Sequence, residues 1–222
     1  MTKYERGRIM KVISLRATLQ TAILVVVFSV ASRDDSSGTT ASSRPRFQSK
    51  IEYCKDCHGS SGQGYHGYLI MPRLAGQTPE YLENQLRAFV ERTREKALFI
   101  NMARVHAVSP DMRTTLAMHF RSLSPPPFGG APRHSAANGK QLYEDGAPEA
   151  NVPACAACHG PRAEGEGPNP RLAGQLYSYT VNELTNWSSK RRGDSSAIMA
   201  PIARALTKSQ ITALAAYFSS LR

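Results

Sequence analysis

Hydrophobic positions along this chain recur at helical spacing, and each stripe has a counterpart in the other half. Leu82, Leu86, Phe89 and Val90 share one face of a helix that Thr78 and Pro79 are suited to open. Val181, Leu184 and Trp187 repeat that face later in the chain. Met112, Leu116, Phe120 and Leu123 line a helix opened by Ser109 and Pro110. In its counterpart, capped by Thr207, the apolar face is Ile211, Leu214, Ala215, Phe218 and Leu221. The stretch "SAANGKQLYEDG" reads as a short helix ending at Gly146. No segment sustains the alternation of a strand. The pattern predicts an all-α protein.

The stripes belong to a duplication. "CKDCHG" (Cys54–Gly59) and "CAACHG" (Cys155–Gly160) lie 101 residues apart, and the two copies of "PRLAGQ" lie 98 apart. Met102 aligns with Met199 at an offset of 97, and Phe120 with Phe218 at 98. Offsets this steady predict two tandem domains, residues 48–123 and 135–222, joined by a Pro/Gly linker at 124–134. Each unit is short and spends much of its length on polar, glycine-rich loops such as "GSSGQGYHG" and "GPRAEGEGPNP". So small a core calls for a staple at its centre.

The first residues are patterned differently. Five basic residues up to Arg16 precede an apolar run from Ala22 to Ala31, the layout of a secretory signal at residues 1–31, with Met10 as an alternative start. The run is about half the ~20 residues a spanning helix requires. A Ser-rich linker is expected at residues 32–47. The reading is an exported, periplasmic protein, soluble or loosely membrane-associated.

Composition changes this picture little. Hydrophobic residues make up 41% and charged residues 20%, as in globular proteins. The net charge of +11 falls to +7 without residues 1–31. Its basic groups are spread over both halves, which argues against a nucleic-acid partner and suits an acidic protein or a membrane surface.

The chemistry lies in the four cysteines, all used in the two Cys-x-x-Cys-His motifs. A four-cysteine zinc site would place its pairs ~15–20 residues apart, and a thioredoxin-like pair would accompany a βαβ pattern. Neither condition holds. A Cys-x-x-Cys-His motif attaches haem c covalently through two thioethers, with the histidine on the iron. Two motifs in register predict two covalently bound haem c groups, on Cys54, Cys57 and His58 and on Cys155, Cys158 and His159. An iron-bound histidine gives its other ring N–H to an acceptor, and the carbonyls of Pro72 and Pro170 are the shared candidates. Arg73 and Arg171 are candidates to pair with haem propionates.

The sixth iron position calls for a ligand present in both repeats. Met102 and Met199 satisfy this, and the second repeat offers no other methionine and no histidine after His159. In the first repeat Met71, Met112, Met118, His66, His106 and His119 compete with Met102. Met112 and Met118 fall within a helix and are expected in its core. His106, one turn beyond Met102, is the strongest alternative.

With these residues in view, positions 48–222 resemble the tandem di-haem class I cytochromes c, above all the cytochrome c4 family. "CKDCHG", "PRLAGQTPEYLENQLRAF" and Met102, matched by "CAACHG", "PRLAGQ", Met199 and "ALAAYFSSL", carry the likeness. The resemblance implies two all-α haem domains, His/Met ligation at both irons and a proline-carbonyl contact to each proximal histidine. It also implies a periplasmic electron carrier that donates to a haem–copper terminal oxidase and is fed by a quinol-oxidising complex. The chain departs from the family in "INMARVHAVSP" and in the short Ser-rich segment before the first motif.

Two protein ligands on each iron leave no open position for substrate, so an electron carrier is expected rather than an enzyme. The alternative within that class is the cytochrome subunit of a periplasmic dehydrogenase, of the flavoprotein sulfide or alcohol dehydrogenase type. A di-haem peroxidase is a third reading and would need one displaceable ligand.

Overall fold

The computed structural model describes residues 43–94, 102–129, 131–132, 135–187, 192 and 196–222. The expected signal, residues 1–31, and residues 32–42 of the expected linker lie outside the described residues. Residues 44–222 make one compact unit. No helix among the described residues is long and apolar enough to cross a membrane.

The first repeat opens on α1 (Ser43–His58), which runs unbroken into the first cysteine motif. It takes in residues 43–47, which the sequence assigned to the linker. Pro45 stands in the first turn, where proline is tolerated, and Phe47 packs against the first core. After the motif, β1 (Tyr65–His66) and β2 (Ile70–Met71) form a small antiparallel ladder. Two residues per strand are too few for alternation to register in the sequence. Then come α2 (Pro79–Val90), α3 (Met102–Val105) and α4 (Pro110–Ser122). The core is Ile51, Leu82, Leu116, Ala117 and Phe120.

The second repeat has α5 (Ala136–Asp145), a 3-10 turn (Pro148–Ala150), α6 (Ala156–His159), α7 (Tyr177–Thr185), α8 (Ser196–Ala205) and α9 (Lys208–Ser220). Here the helix before the motif stops at Gly146, and a loop intervenes before Cys155. The larger core centres on Leu142, Tyr143, Val152, Leu206, Ile211, Leu214, Tyr217 and Phe218. Helices α5 and α9 meet at Gly139, where a Cβ would stand 2.1 Å from Ala213 O.

Several expectations need correction. Thr78 stands at the start of α2, but its hydroxyl makes no cap; Oγ1 is buried and unpartnered among the described residues. Ser109 does cap α4, and Thr207 forms a full capping box with Gln210. Val90 is 42% exposed and Met118 56% exposed. At 100° per residue Met118 lies opposite the Leu116–Phe120 stripe. The buried faces of α2 and α7 also hold polar residues, Gln85 on one and Thr180 and Glu183 on the other.

The two "PRLAGQ" segments hold the repeats together. Within its own repeat each is tied to the closing helix, Gly76 N to Phe120 O and Gly174 N to Phe218 O, both at 2.8 Å. Across the junction the glutamines are exchanged. Gln175 Oε1 accepts from Arg73 N at 2.9 Å while its Nε2 donates to Arg73 O at 3.2 Å. Gln77 does the same to Arg171, at 2.6 Å from N and 3.0 Å to O. The Arg171 side chain lies over Gly76 and that of Arg73 over Gly174, each 3.3 Å from where a Cβ would be.

Candidate haem-binding site

Each motif ends a helix, and the chain then turns back on itself. Gly64 N donates to His58 O and Gly165 N to His159 O, both at 2.8 Å. The return brings Pro72 O to 2.8 Å from His58 Nδ1 and Pro170 O to 2.8 Å from His159 Nδ1. A carbonyl can only accept, so Nδ1 carries the proton in both rings. Burial lowers the pKa of each histidine, while the proline carbonyl acts the other way. For His58 the Arg94 cation lowers it further. Both imidazoles are thus neutral at physiological pH, with Nε2 free to bind a metal.

The cysteines beside them are not joined in disulfides; Cys54 and Cys155 are half-buried and Cys57 and Cys158 exposed. Burial raises the Cys54 thiol above its usual range and pushes Cys155 up to about 11. Such thiols are poor thiolate ligands. Two cysteines with one neutral imidazole, in each repeat, make the donor set that covalent haem attachment uses.

Of the expected distal ligands, Met199 lies on α8, half-buried. Met102 is the first residue of α3, and its side chain lies outside the described residues. Among its rivals, Met71 is buried in β2 and Met112 packs against the first core. His66 lies edge-on to Phe128, His106 is stacked on Phe89 at 4.4 Å, and His119 lies against Phe47 and Phe120.

The arginines expected at propionates are engaged elsewhere in part. Arg73 donates from Nε to Ala75 O and from its two terminal nitrogens to Pro126 O and Pro125 O. Burial and the neighbouring Arg171 lower its pKa to about 10. Arg171 Nε donates to Ala173 O.

Sequence reasoning missed a polar cluster where the repeats meet. Arg192 is 6% exposed. It donates to Tyr81 Oη at 2.8 Å, Tyr179 Oη at 2.5 Å and Glu183 Oε2 at 2.6 Å. Arg94 donates to Gln85 Oε1 at 2.9 Å and lies 4.2 Å over the Phe89 ring. Trp187 Nε1, under the same Arg192, is buried with no acceptor among the described residues. Among the described residues this cluster brings together two guanidinium groups, one carboxylate and the indole N–H of Trp187. The Arg94 guanidinium and the Trp187 N–H are donors of the kind a haem propionate would accept from, so these residues fit the group. The signal was present in the repeat: Tyr81/Tyr179 and Arg94/Arg192 recur at the same offset of 98.

The cytochrome c family model matches residues 50–123 and 136–222, one match per repeat. The chain belongs to the cytochrome c family. It is 36% identical to cytochrome c-552 of Acidithiobacillus ferridurans, over 76% of this chain and 73% of that protein. It is also 36% identical to a thiosulfate dehydrogenase electron acceptor of Thiomonas intermedia, over 75% and 77% of the two chains. Among solved structures, the cytochrome c4 of Acidithiobacillus ferrooxidans superposes with a TM-score of 0.67 at 36% identity, covering 77% of this chain and 99% of that one. The all-α, two-domain expectation is borne out, and the protein is di-haem and cytochrome c4-like, with two covalently attached haem c groups. As a di-haem cytochrome c it is an electron carrier.

Proposed function

We infer that this chain is a periplasmic carrier that takes electrons from a dehydrogenase and delivers them to a haem–copper terminal oxidase. In this reading, Cys54 and Cys57 hold one haem through thioethers, Cys155 and Cys158 the other. His58 and His159 are the proximal ligands, and Met102 and Met199 the distal ones. The haems supply one-electron chemistry at iron. The chain's part is to fix the ligands, keep both iron positions closed, and hold the two domains, residues 48–123 and 135–222, at a set distance.

The observation that carries the reading is the pair of histidine–proline contacts, 2.8 Å in both repeats. Each fixes the tautomer and plane of an imidazole, which keeps ligand geometry constant between oxidation states. Two such sites in one unit, locked by the Gln77 and Gln175 exchange, suit a molecule that receives electrons at one end and releases them from the other. The dehydrogenase side is favoured by a relative that is a thiosulfate dehydrogenase electron acceptor. A propionate contact fits Arg94 better than Arg73, whose guanidinium is already held by three carbonyls.

The test is a reconstituted chain of transfer. The purified oxidised holoprotein is mixed without oxygen with thiosulfate and a thiosulfate dehydrogenase, and a haem–copper oxidase with oxygen is then added. Reduction of both haems followed by rapid reoxidation is expected. Reduction without reoxidation would remove the oxidase from the reading; no reduction by the dehydrogenase would remove the donor.

A further inference from the structure

Each proline carbonyl that holds a histidine belongs to a peptide group with a second partner. The Pro72–Arg73 peptide accepts from His58 Nδ1 at 2.8 Å and donates from Arg73 N to Gln175 Oε1 at 2.9 Å. The Pro170–Arg171 peptide accepts from His159 Nδ1 at 2.8 Å and donates from Arg171 N to Gln77 Oε1 at 2.6 Å. In both cases the glutamine comes from the other repeat. Both glutamines are buried, Gln77 at 5% and Gln175 at 8% exposure. Further bonds hold them in place. Gln175 Oε1 also accepts from Leu176 N at 3.0 Å, and its Nε2 donates to Arg73 O at 3.2 Å. Gln77 Oε1 also accepts from Thr78 N at 2.9 Å, and its Nε2 donates to Arg171 O at 3.0 Å.

One planar peptide therefore joins each imidazole to a side-chain amide of the opposite repeat. The hydrogen bonds run in one sense, from ring N–H to carbonyl oxygen and from peptide N–H to amide oxygen. The peptide is a single resonance unit. An acceptor on its N–H draws out its dipole and leaves its oxygen a better acceptor, and bonds chained in this way strengthen one another by roughly 10–30%. A stronger acceptor at Nδ1 raises the basicity of the ring at its other nitrogen and fixes the ring plane.

We propose that Gln175 is a positioning residue for the proximal histidine of the first haem, and Gln77 for that of the second, so that each repeat completes the ligand of its neighbour. The proposal rests on the two-haem reading with His58 and His159 as proximal ligands. The exchanged glutamines then have two effects: they join the repeats, and they set the strength of the bond at each Nδ1.

The experiment uses the full holoprotein and the variants Gln175→Met, Gln175→Glu and Gln77→Met. The Nδ1 protons of both histidines are assigned by NMR in the reduced protein. Gln175→Met keeps the length of the side chain and removes the acceptor from Arg73 N. It is expected to move the His58 Nδ1 proton upfield and leave that of His159 in place. Gln77→Met is expected to do the reverse, moving His159 and sparing His58. Gln175→Glu retains an acceptor whether or not its carboxyl is ionised, so there the His58 proton is expected to stay or move downfield. A merely structural loss would move it upfield in both Gln175 variants. A shift confined to the altered residue's own repeat, equal shifts at both histidines, or no shift in the Met variants overturns the proposal. If Gln175→Met fails to load two haems, Gln77→Met decides: a shift at His159 alone supports the proposal and any other pattern overturns it. The ligand reading is checked separately in the unaltered protein, because the haem ring current carries the ring protons of an iron-bound histidine far upfield. If those of His58 or His159 are not so shifted, the ligand assignment falls, while the crossed shifts still report the hydrogen-bond chain.

Discussion

Gln175 pairs its side-chain amide with both backbone groups of Arg73, 102 residues away, accepting from N at 2.9 Å and donating to O at 3.2 Å. The amide thereby does across the repeats what a neighbouring strand does in a sheet. Gln77 completes the exchange on Arg171. Replacing Gln175 by Ala leaves a buried donor and acceptor unmet. A loss of about 1–3 kcal/mol is expected, readable as a lower midpoint in denaturant unfolding of the holoprotein. Gln175→Glu should fare no better, because it retains the acceptor and sets a second oxygen against Arg73 O.

Gly139 allows α5 and α9 to touch. A methyl group there would stand 2.1 Å from Ala213 O, a backbone atom that cannot swing aside. Gly139→Ala gains helix propensity but forces the helices apart. A net destabilisation of about 1–3 kcal/mol is expected, seen as a lower Tm. An unchanged Tm would mean that the two helices separate freely.

In the proposed ligand set Met199 serves the second iron alone. Met199→Ala should remove the sulfur-ligation absorption of one haem, lower that haem's potential and leave the first spectrally unaltered. If both haems changed, or neither, the assignment would fall.

Glu164 sits in the loop that follows the second motif, its Oε2 2.7 Å from Arg162 N. Its own backbone amide first, then that of Arg162 and the Arg162 charge, hold the carboxylate below its usual range, with burial acting against them. A carboxylate depressed on folding stabilises the protein above its unfolded pKa, and that stability is lost as pH falls through the folded value. Glu164→Gln should therefore flatten the acid limb of a stability–pH curve and leave the slope near neutrality unchanged.

Much of the site was legible because haem attachment is written locally. Two cysteines and a histidine within five residues fix what can be bound, and the recurrence of Pro72 and Pro170 pointed to the carbonyls that hold the imidazoles. The buried cluster was harder to read. Gln85 and Glu183 are polar residues on amphipathic helices, where pattern reasoning sends them to solvent. Met118 erred the other way, an apolar residue on the exposed side of α4. Side-chain polarity predicts burial only when nothing else on the molecule offers a partner, and here Arg94 and Arg192 did.

The sequence by itself determined the duplication, the helices, their caps at Ser109 and Thr207, and the chemistry of the two motifs. These depend on residues a few positions apart, so local spacing contains them. Only the tertiary structure decided how the repeats are joined and which charges face each other. Gln175 meets Arg73, and Arg192 meets Tyr81, because closing each repeat on its last helix presents "PRLAGQ" outward to its copy. Spacing along a chain does not encode contacts made across about a hundred residues; these arise when burial of the apolar stripes fixes the path of the backbone.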